Sequence, residues 1–169
     1  SLTLAALFGA PNLSAPQDAI GAELDPAWEA NVAPNWRQRK GQAKAEAVAL
    51  HGGTPKSEAA VAKSLEWLAA HQFADGSWSF QHGGGPCKDR CDQSGTIGRA
   101  QNAATALALM CFLGAGQTHY SGKYQPTVRR GLEYLLTHQK AGAEHGSFWE
   151  PNGQMYGHGI ATMALCEAY

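Results

Sequence analysis

The chain has 169 residues, a formal net charge of −1, 44% hydrophobic residues and only 16% charged residues, against about 25% charged in an average globular protein. That length suits one domain, and near-neutral charge gives no basic patch for nucleic acid or an anionic membrane surface. Thirty Ala and 20 Gly outnumber the 27 residues of Leu, Ile, Val and Phe together; with so little net charge this is not wholesale disorder, and Ala in bulk points to closely packed helices.

Residues 1–37 hold four of the eight prolines, Pro11, Pro16, Pro26 and Pro34, and no sustained apolar period. They read as an extended arm or linker, with Trp28 and Trp36 as docking anchors. The apolar stretch 2–10 has no positive segment ahead of it and makes a poor signal peptide. No run approaches the roughly 18 apolar residues of a membrane span. Helical signals begin at 38–50, rich in Ala, Lys, Glu and Gln and stopped by His51-Gly52-Gly53. Thr54-Pro55 then supplies an N-cap with Pro at the first helical position. The helix that follows runs to about Gln72, with Val61, Leu65 and Leu68 as its apolar stripe. A long Gly-rich polar loop spans 73–99. From 100 to 113 no polar face remains, which predicts a buried helix. Pro126 opens another amphipathic helix at 127–139, with Val128, Leu132, Leu135 and Leu136 against Arg129, Arg130 and Glu133. A second Gly-rich loop leads to 155–169, again apolar or small.

The order amphipathic, buried, amphipathic, buried is a repeat, and repeats define architecture. Lys63-Ser64, Leu68, Gln72, Gly76 and Trp78 align with Arg130-Gly131, Leu135, Gln139, Gly146 and Phe148, and Ala104-Thr105 aligns with Ala161-Thr162. Each unit is an outer helix, a Gly-Ser-aromatic loop and an inner helix. The repeats cover about 55–114 and 126–169, within a helical region 38–169.

This pattern of basic residue, Gly, x3, Leu, x3, Gln, spacer, Gly, x, aromatic resembles the glutamine–tryptophan repeat of squalene and terpenoid cyclases. The wider group is the prenyltransferase and squalene oxidase repeat family. The first copy departs from it with Ser64 in the Gly position, the second with Phe148 in the Trp position. Asp75-Gly76-Ser77-Trp78 and His158-Gly159-Ile160-Ala161-Thr162 also resemble uncharacterised bacterial members of the group, planctomycete-type proteins among them. The resemblance implies an all-α fold, an α/α toroid in which outer helices ring inner helices around a cavity. It also implies that Gln72, Gly76, Trp78, Gln139, Gly146 and Phe148 are framework residues. The Gln amide would bond backbone at a neighbouring helix end, and the aromatic ring would pack over it.

Cyclases of this fold protonate their substrate with an Asp-x-Asp-Asp acid, because a neighbouring carboxylate or hydrogen bond must tune the acid. Asp89-x-x-Asp92 is the nearest cluster and has the wrong spacing. Protein prenyltransferases hold zinc through Asp, Cys and His; Cys166 lies on the second inner helix, without Asp two residues before it. No catalytic residue is therefore assigned. His158, Thr162 and Cys166 share one helical face, matched by Gln101, Thr105 and Leu109 in the first repeat. Gln101, Thr105, His158 and Thr162 are the candidate ligand contacts if that face lines a lumen. The plainer reading is a helix-start His, a Thr bonded to its own backbone and a small core Cys. His82, Cys87 and Cys91 form the densest local cluster: free or structural thiols, a local disulfide, or three ligands for zinc, although the common finger spacing needs four and no second pair follows. No cofactor is otherwise implied. Gly83-Gly84-Gly85-Pro86 lacks the strand–helix setting of a phosphate loop, and no Gly-x-Ser-x-Gly nucleophile elbow occurs.

Two hairpins are fewer than a toroid of this family needs, and a repeat array cannot bury its faces without neighbours. The expectation is a fragment, a partly ordered region or one piece of an assembly, whose partners are further repeats or another protein. Two functional readings follow: a non-catalytic toroid module binding a protein partner or an apolar, isoprenoid-like ligand, or part of a terpenoid cyclase or prenyltransferase-like enzyme whose catalytic residues lie outside this chain.

Overall fold

The computed structural model describes residues 38–88, 90–92, 95–141 and 145–169. The expected arm at 1–37, with Trp28 and Trp36, and Asp89 lie outside them. Among the described residues there are five helices and no strand: α1 (Gly41–Leu50), α2 (Pro55–Ala70), α3 (Gln101–Gly114), α4 (Gln125–Thr137) and α5 (Gln154–Ala168). No helix among them is long and apolar enough to cross a membrane.

The punctuation of α2 follows its local chemistry. Thr54 is extended and its hydroxyl accepts the Ser57 N–H at 3.2 Å, while the Ser57 hydroxyl accepts the Thr54 N–H at 2.9 Å. This reciprocal pair satisfies two donors that a helix start leaves open, and Pro55 has no N–H to satisfy. Thr54→Ala should cost about 1 kcal/mol of stability, read as a lower urea midpoint with unchanged slope; a midpoint equal to wild type would contradict the cap. Helix α1 buries no residue of its own. It is tied to α2 by the Lys44–Glu58 ion pair at 2.9 Å, and the turn before it by Arg39 to Glu167 and by Lys40 to Ser121 at 2.8 Å.

The core sits on α3, which packs against α5, α4 and, more lightly, α2. Nine of its fourteen residues are buried, as expected for a helix without a polar face. Phe112 and Leu109 are fully enclosed, with Leu135 and Val128 of α4 against them. The Phe112 ring lies 6.0 Å from Trp78 and 5.2 Å from Tyr124. Where α3 meets α5 the contact is made by small residues: a Cβ on Gly157 would come within 3.4 Å of the Ala103 Cβ. The Ala and Gly surplus is thus spent on close helix approach.

Three expectations need correcting. Val61 on α2 and Leu136 on α4 are exposed rather than part of the buried stripes, because the core-facing arc of each helix is narrower than the apolar pattern suggests. Helix α5 was expected to be buried like α3, yet only Gly157, Ala161 and Ala164 are. Met155, Tyr156 and Met163 are exposed, since only the side of α5 facing α3 is covered among the described residues.

Candidate functional site

The first repeat loop is a junction between α2 and α4. The Gln72 amide nitrogen donates to the carbonyls of Gly76 and Thr127, both at 2.9 Å, and its oxygen accepts from Arg130 at 2.6 Å. One buried amide thus joins its own loop to the first turn of the next outer helix. Asp75 Oδ1 accepts from the Ser77 N–H and hydroxyl, shaping the turn. Gly76 has φ +91°, and a Cβ there would overlap the Arg130 carbonyl. The backbone passes so close to α4 that only Gly fits. Trp78 then turns inward, 4% exposed, with Nε1 donating to the Leu68 carbonyl at 2.8 Å. Its ring edge lies over Gly131, where a Cβ would meet the ring at 2.9 Å. Gly131 leaves room for the indole, which explains the basic–Gly step within the second outer helix, α4.

The second loop repeats part of this. Phe148 is buried, and its N–H donates to His158 Nδ1 at 3.2 Å. Its carbonyl accepts from the Asn102 side chain at 3.3 Å. Glu150 was not singled out from the sequence; its Oε2 accepts the Asn102 N–H at 2.8 Å and the Ala103 N–H at 3.4 Å. A carboxylate at the start of α3 satisfies open donors and complements the helix dipole. Gln139 is half-buried, and Gly146, at φ +84°, has nothing within 4 Å of its would-be Cβ. The second copy of the motif therefore lacks the covering helix that the first copy has, among the described residues.

The candidate ligand residues separate. Thr105 is fully buried, and its hydroxyl accepts the Trp78 N–H at 3.0 Å. It holds the repeat loop to the inner helix and is corrected from ligand contact to framework. His158 does the equivalent work for Phe148 and stacks on that ring at 6.1 Å. The structural partner of Thr105 in the second repeat is thus His158, not Thr162. Thr162 is exposed and donates to the His158 carbonyl at 2.9 Å, and Gln101 is half-buried at the first position of α3. On α3 the exposed positions Leu107, Cys111 and Gly114 recur at helical spacing, and the helix contains no Asp, Glu, Lys or Arg. Exposed Cys166 lies on the α5 face with Thr162 and Met163. On α4, burial first, and then the Glu150 and Asp75 carboxylates, push the Tyr134 phenol up to about 12, so it stays neutral.

His82 and Cys87 come together with His71, a residue the sequence does not single out, and Cys91 lies against that same imidazole. His71, the C-cap of α2, is 5% exposed, and its Nε2 lies 3.1 Å from Cys91 Sγ. One ligand atom from each of His71, His82 and Cys87 falls within 4.8 Å of the others.

The family model of the squalene-hopene cyclase C-terminal domain matches residues 42–163. The chain belongs to this family. Its helices are therefore hairpins of the cyclase-type α/α toroid, within the prenyltransferase and squalene oxidase repeat group, as the Gln72–Trp78 and Gln139–Phe148 motifs imply. No curated protein and no solved structure matches the chain. In a cyclase-type toroid α2 and α4 are outer helices, and α3 and α5 are inner ones. The matched segment spans both repeat loops and most of α5, and it contains the His71–Cys91 cluster.

Proposed function

We propose that this cyclase-family segment is a non-catalytic wall of a binding cavity that takes an apolar, isoprenoid-like ligand. The observation that carries the reading is the inner helix α3. It has no charged side chain, yet it leaves Leu107 and Cys111 exposed beside a full core. Exposed apolar surface on an inner helix is costly unless something apolar covers it. Gln101, half-buried at the start of α3, and Thr162, exposed on α5, are the polar residues that would contact such a ligand. Native mass spectrometry of the full chain with squalene or farnesol should show a one-to-one adduct. Leu107→Lys should weaken it by about tenfold or more, since roughly 1.4 kcal/mol is tenfold and an anchoring Leu contributes at least that. Adduct levels equal to those of an unrelated helical protein would contradict the reading.

The family match also favours a second reading, in which the chain is part of a cyclase or prenyltransferase-like enzyme whose catalytic residues lie outside it. A cyclised hydrocarbon formed from squalene by the parent protein, and absent after heat treatment, would favour the enzyme. A protein partner in place of the ligand would show as a stoichiometric complex that survives apolar competitors.

A further inference from the structure

The two repeats differ most in the connection from the aromatic to the inner helix. Residues 149–153 suffice in the second repeat, whereas 79–100 intervene in the first. An irregular loop of that length inside a compact domain needs a reason to stay folded. Among the described residues its backbone closes short turns, such as Gly85 N–H to the His82 carbonyl and Lys88 N–H to the Gly85 carbonyl, and it meets the second loop only near its end, where the Arg99 carbonyl accepts the Asn152 N–H at 3.4 Å. Those turns place Cys87 and Cys91 four residues apart beside the end of α2.

His71 is prepared for them. Its Nδ1 lies 2.6 Å from the Trp67 carbonyl. A carbonyl can only accept, so Nδ1 carries the proton and Nε2 presents its lone pair. Nε2 faces Cys91 Sγ at 3.1 Å. Cys87 is buried, and the buried Nδ1 of His82 has no hydrogen-bond partner. Trp67 stacks on His71 at 3.8 Å, and His82 stands edge-on to both rings at 5.3 and 5.4 Å. The second repeat contains the same His–aromatic pair: His138 stacks on Tyr134 at 3.8 Å, with Nδ1 2.8 Å from the Tyr134 carbonyl. There the imidazole is exposed, and no inserted loop brings thiols to it. The pair is thus framework, and the first repeat's insertion gathers His82 and Cys87 around the His71 imidazole, with Cys91 against its Nε2.

We infer that His71, His82, Cys87 and Cys91 form a zinc site. Two imidazoles and two thiols are a donor set that zinc takes in tetrahedral geometry. The His71 Nδ1–H to carbonyl bond is the outer hydrogen bond that orients a metal-bound imidazole. With four protein ligands no position is left open, so the site is structural: it clamps the loop to the end of α2. Binding releases the two thiol protons to solvent, and the imidazoles bind neutral. The site is separate from the proposed apolar face on α3.

The test is metal analysis of the full chain, purified without a histidine tag or chelator and under reducing conditions. About one zinc per chain is expected, with Cys87→Ser and Cys91→Ser each falling to background while Cys111→Ser keeps the metal. Adding cobalt(II) to the stripped chain should give thiolate-to-cobalt charge transfer and tetrahedral d–d bands. His82→Ala, checked for wild-type helicity by circular dichroism, should weaken cobalt binding by about tenfold or more. Three results would each overturn the site: no zinc and no cobalt spectrum in the reduced chain, a Cys87–Cys91 disulfide in the freshly isolated chain, or zinc retained in full by the Cys87→Ser, Cys91→Ser double variant.

Discussion

Trp78→Ala should lower the stability of the folded chain by about 3–5 kcal/mol, the range for truncating a large buried aromatic, and lower Tm by on the order of 10 °C for a chain of this size. Three terms add. The indole is 4% exposed and packs on Phe112 and over Gly131. Its truncation leaves a cavity between an inner and an outer helix, which close-packed neighbours fill only in part. The Leu68 carbonyl loses the Nε1 donor at the C-terminal end of α2, where open carbonyls already need partners. The backbone bond from Trp78 N–H to Thr105 survives the substitution, so the loop can stay near α3 while losing its grip on α4. Thermal unfolding followed by circular dichroism reads the loss, and an unchanged Tm would remove Trp78 from the framework.

Gly76→Ala should cost about 2–5 kcal/mol although it adds a single methyl group. The left-handed backbone at φ +91° costs an L-residue roughly 1–2 kcal/mol. The added Cβ would also overlap the Arg130 carbonyl, and backbone on both sides has to move. Overpacking of this kind costs about 1–3 kcal/mol. Gly146→Ala is the internal comparison. It has a similar φ, +84°, but nothing within 4 Å, so only the backbone term of about 1–2 kcal/mol applies. Equal losses at the two glycines, measured by urea denaturation, would show that close approach to α4 adds nothing.

Much of the framework was legible because it occurs twice. Gln72, Gly76 and Trp78 follow an amphipathic helix in the same order as Gln139, Gly146 and Phe148, with the Gly–x–aromatic step kept and a longer Gln-to-Gly spacer in the second copy, and the α2 cap is written in nearby residues. What was misread depends on partners distant in sequence. Thr105 looks like a polar residue facing a lumen until its bond to Trp78, 27 residues earlier, is seen. His158 and Thr105 do the same work from differently aligned positions, because the second loop is shorter and its inner helix starts sooner. His71 escaped notice in the thiol cluster for two reasons. It lies 20 residues before Cys91, and its recurrence as His138 marks it as repeat framework. Glu150 carried no periodic signal, since Phe80 stands at the matching place in the first repeat. Its role appears only once the α3 N-terminus is beside it. The burial expected of α5 failed because an apolar pattern records which faces can be covered, not which element covers them.

The first repeat's loop and the second outer helix form one docked unit, with Gln72, Gly76 and Trp78 acting together on Thr127, Arg130 and Gly131. Urea denaturation of Trp78→Ala, Gly76→Ala and the double variant tests it directly. If each substitution undocks the same junction, the double variant should lose less than the sum of the single losses, by about 0.5–3 kcal/mol. Losses that add to within about 0.5 kcal/mol would mean that the two residues act independently, and would contradict the account.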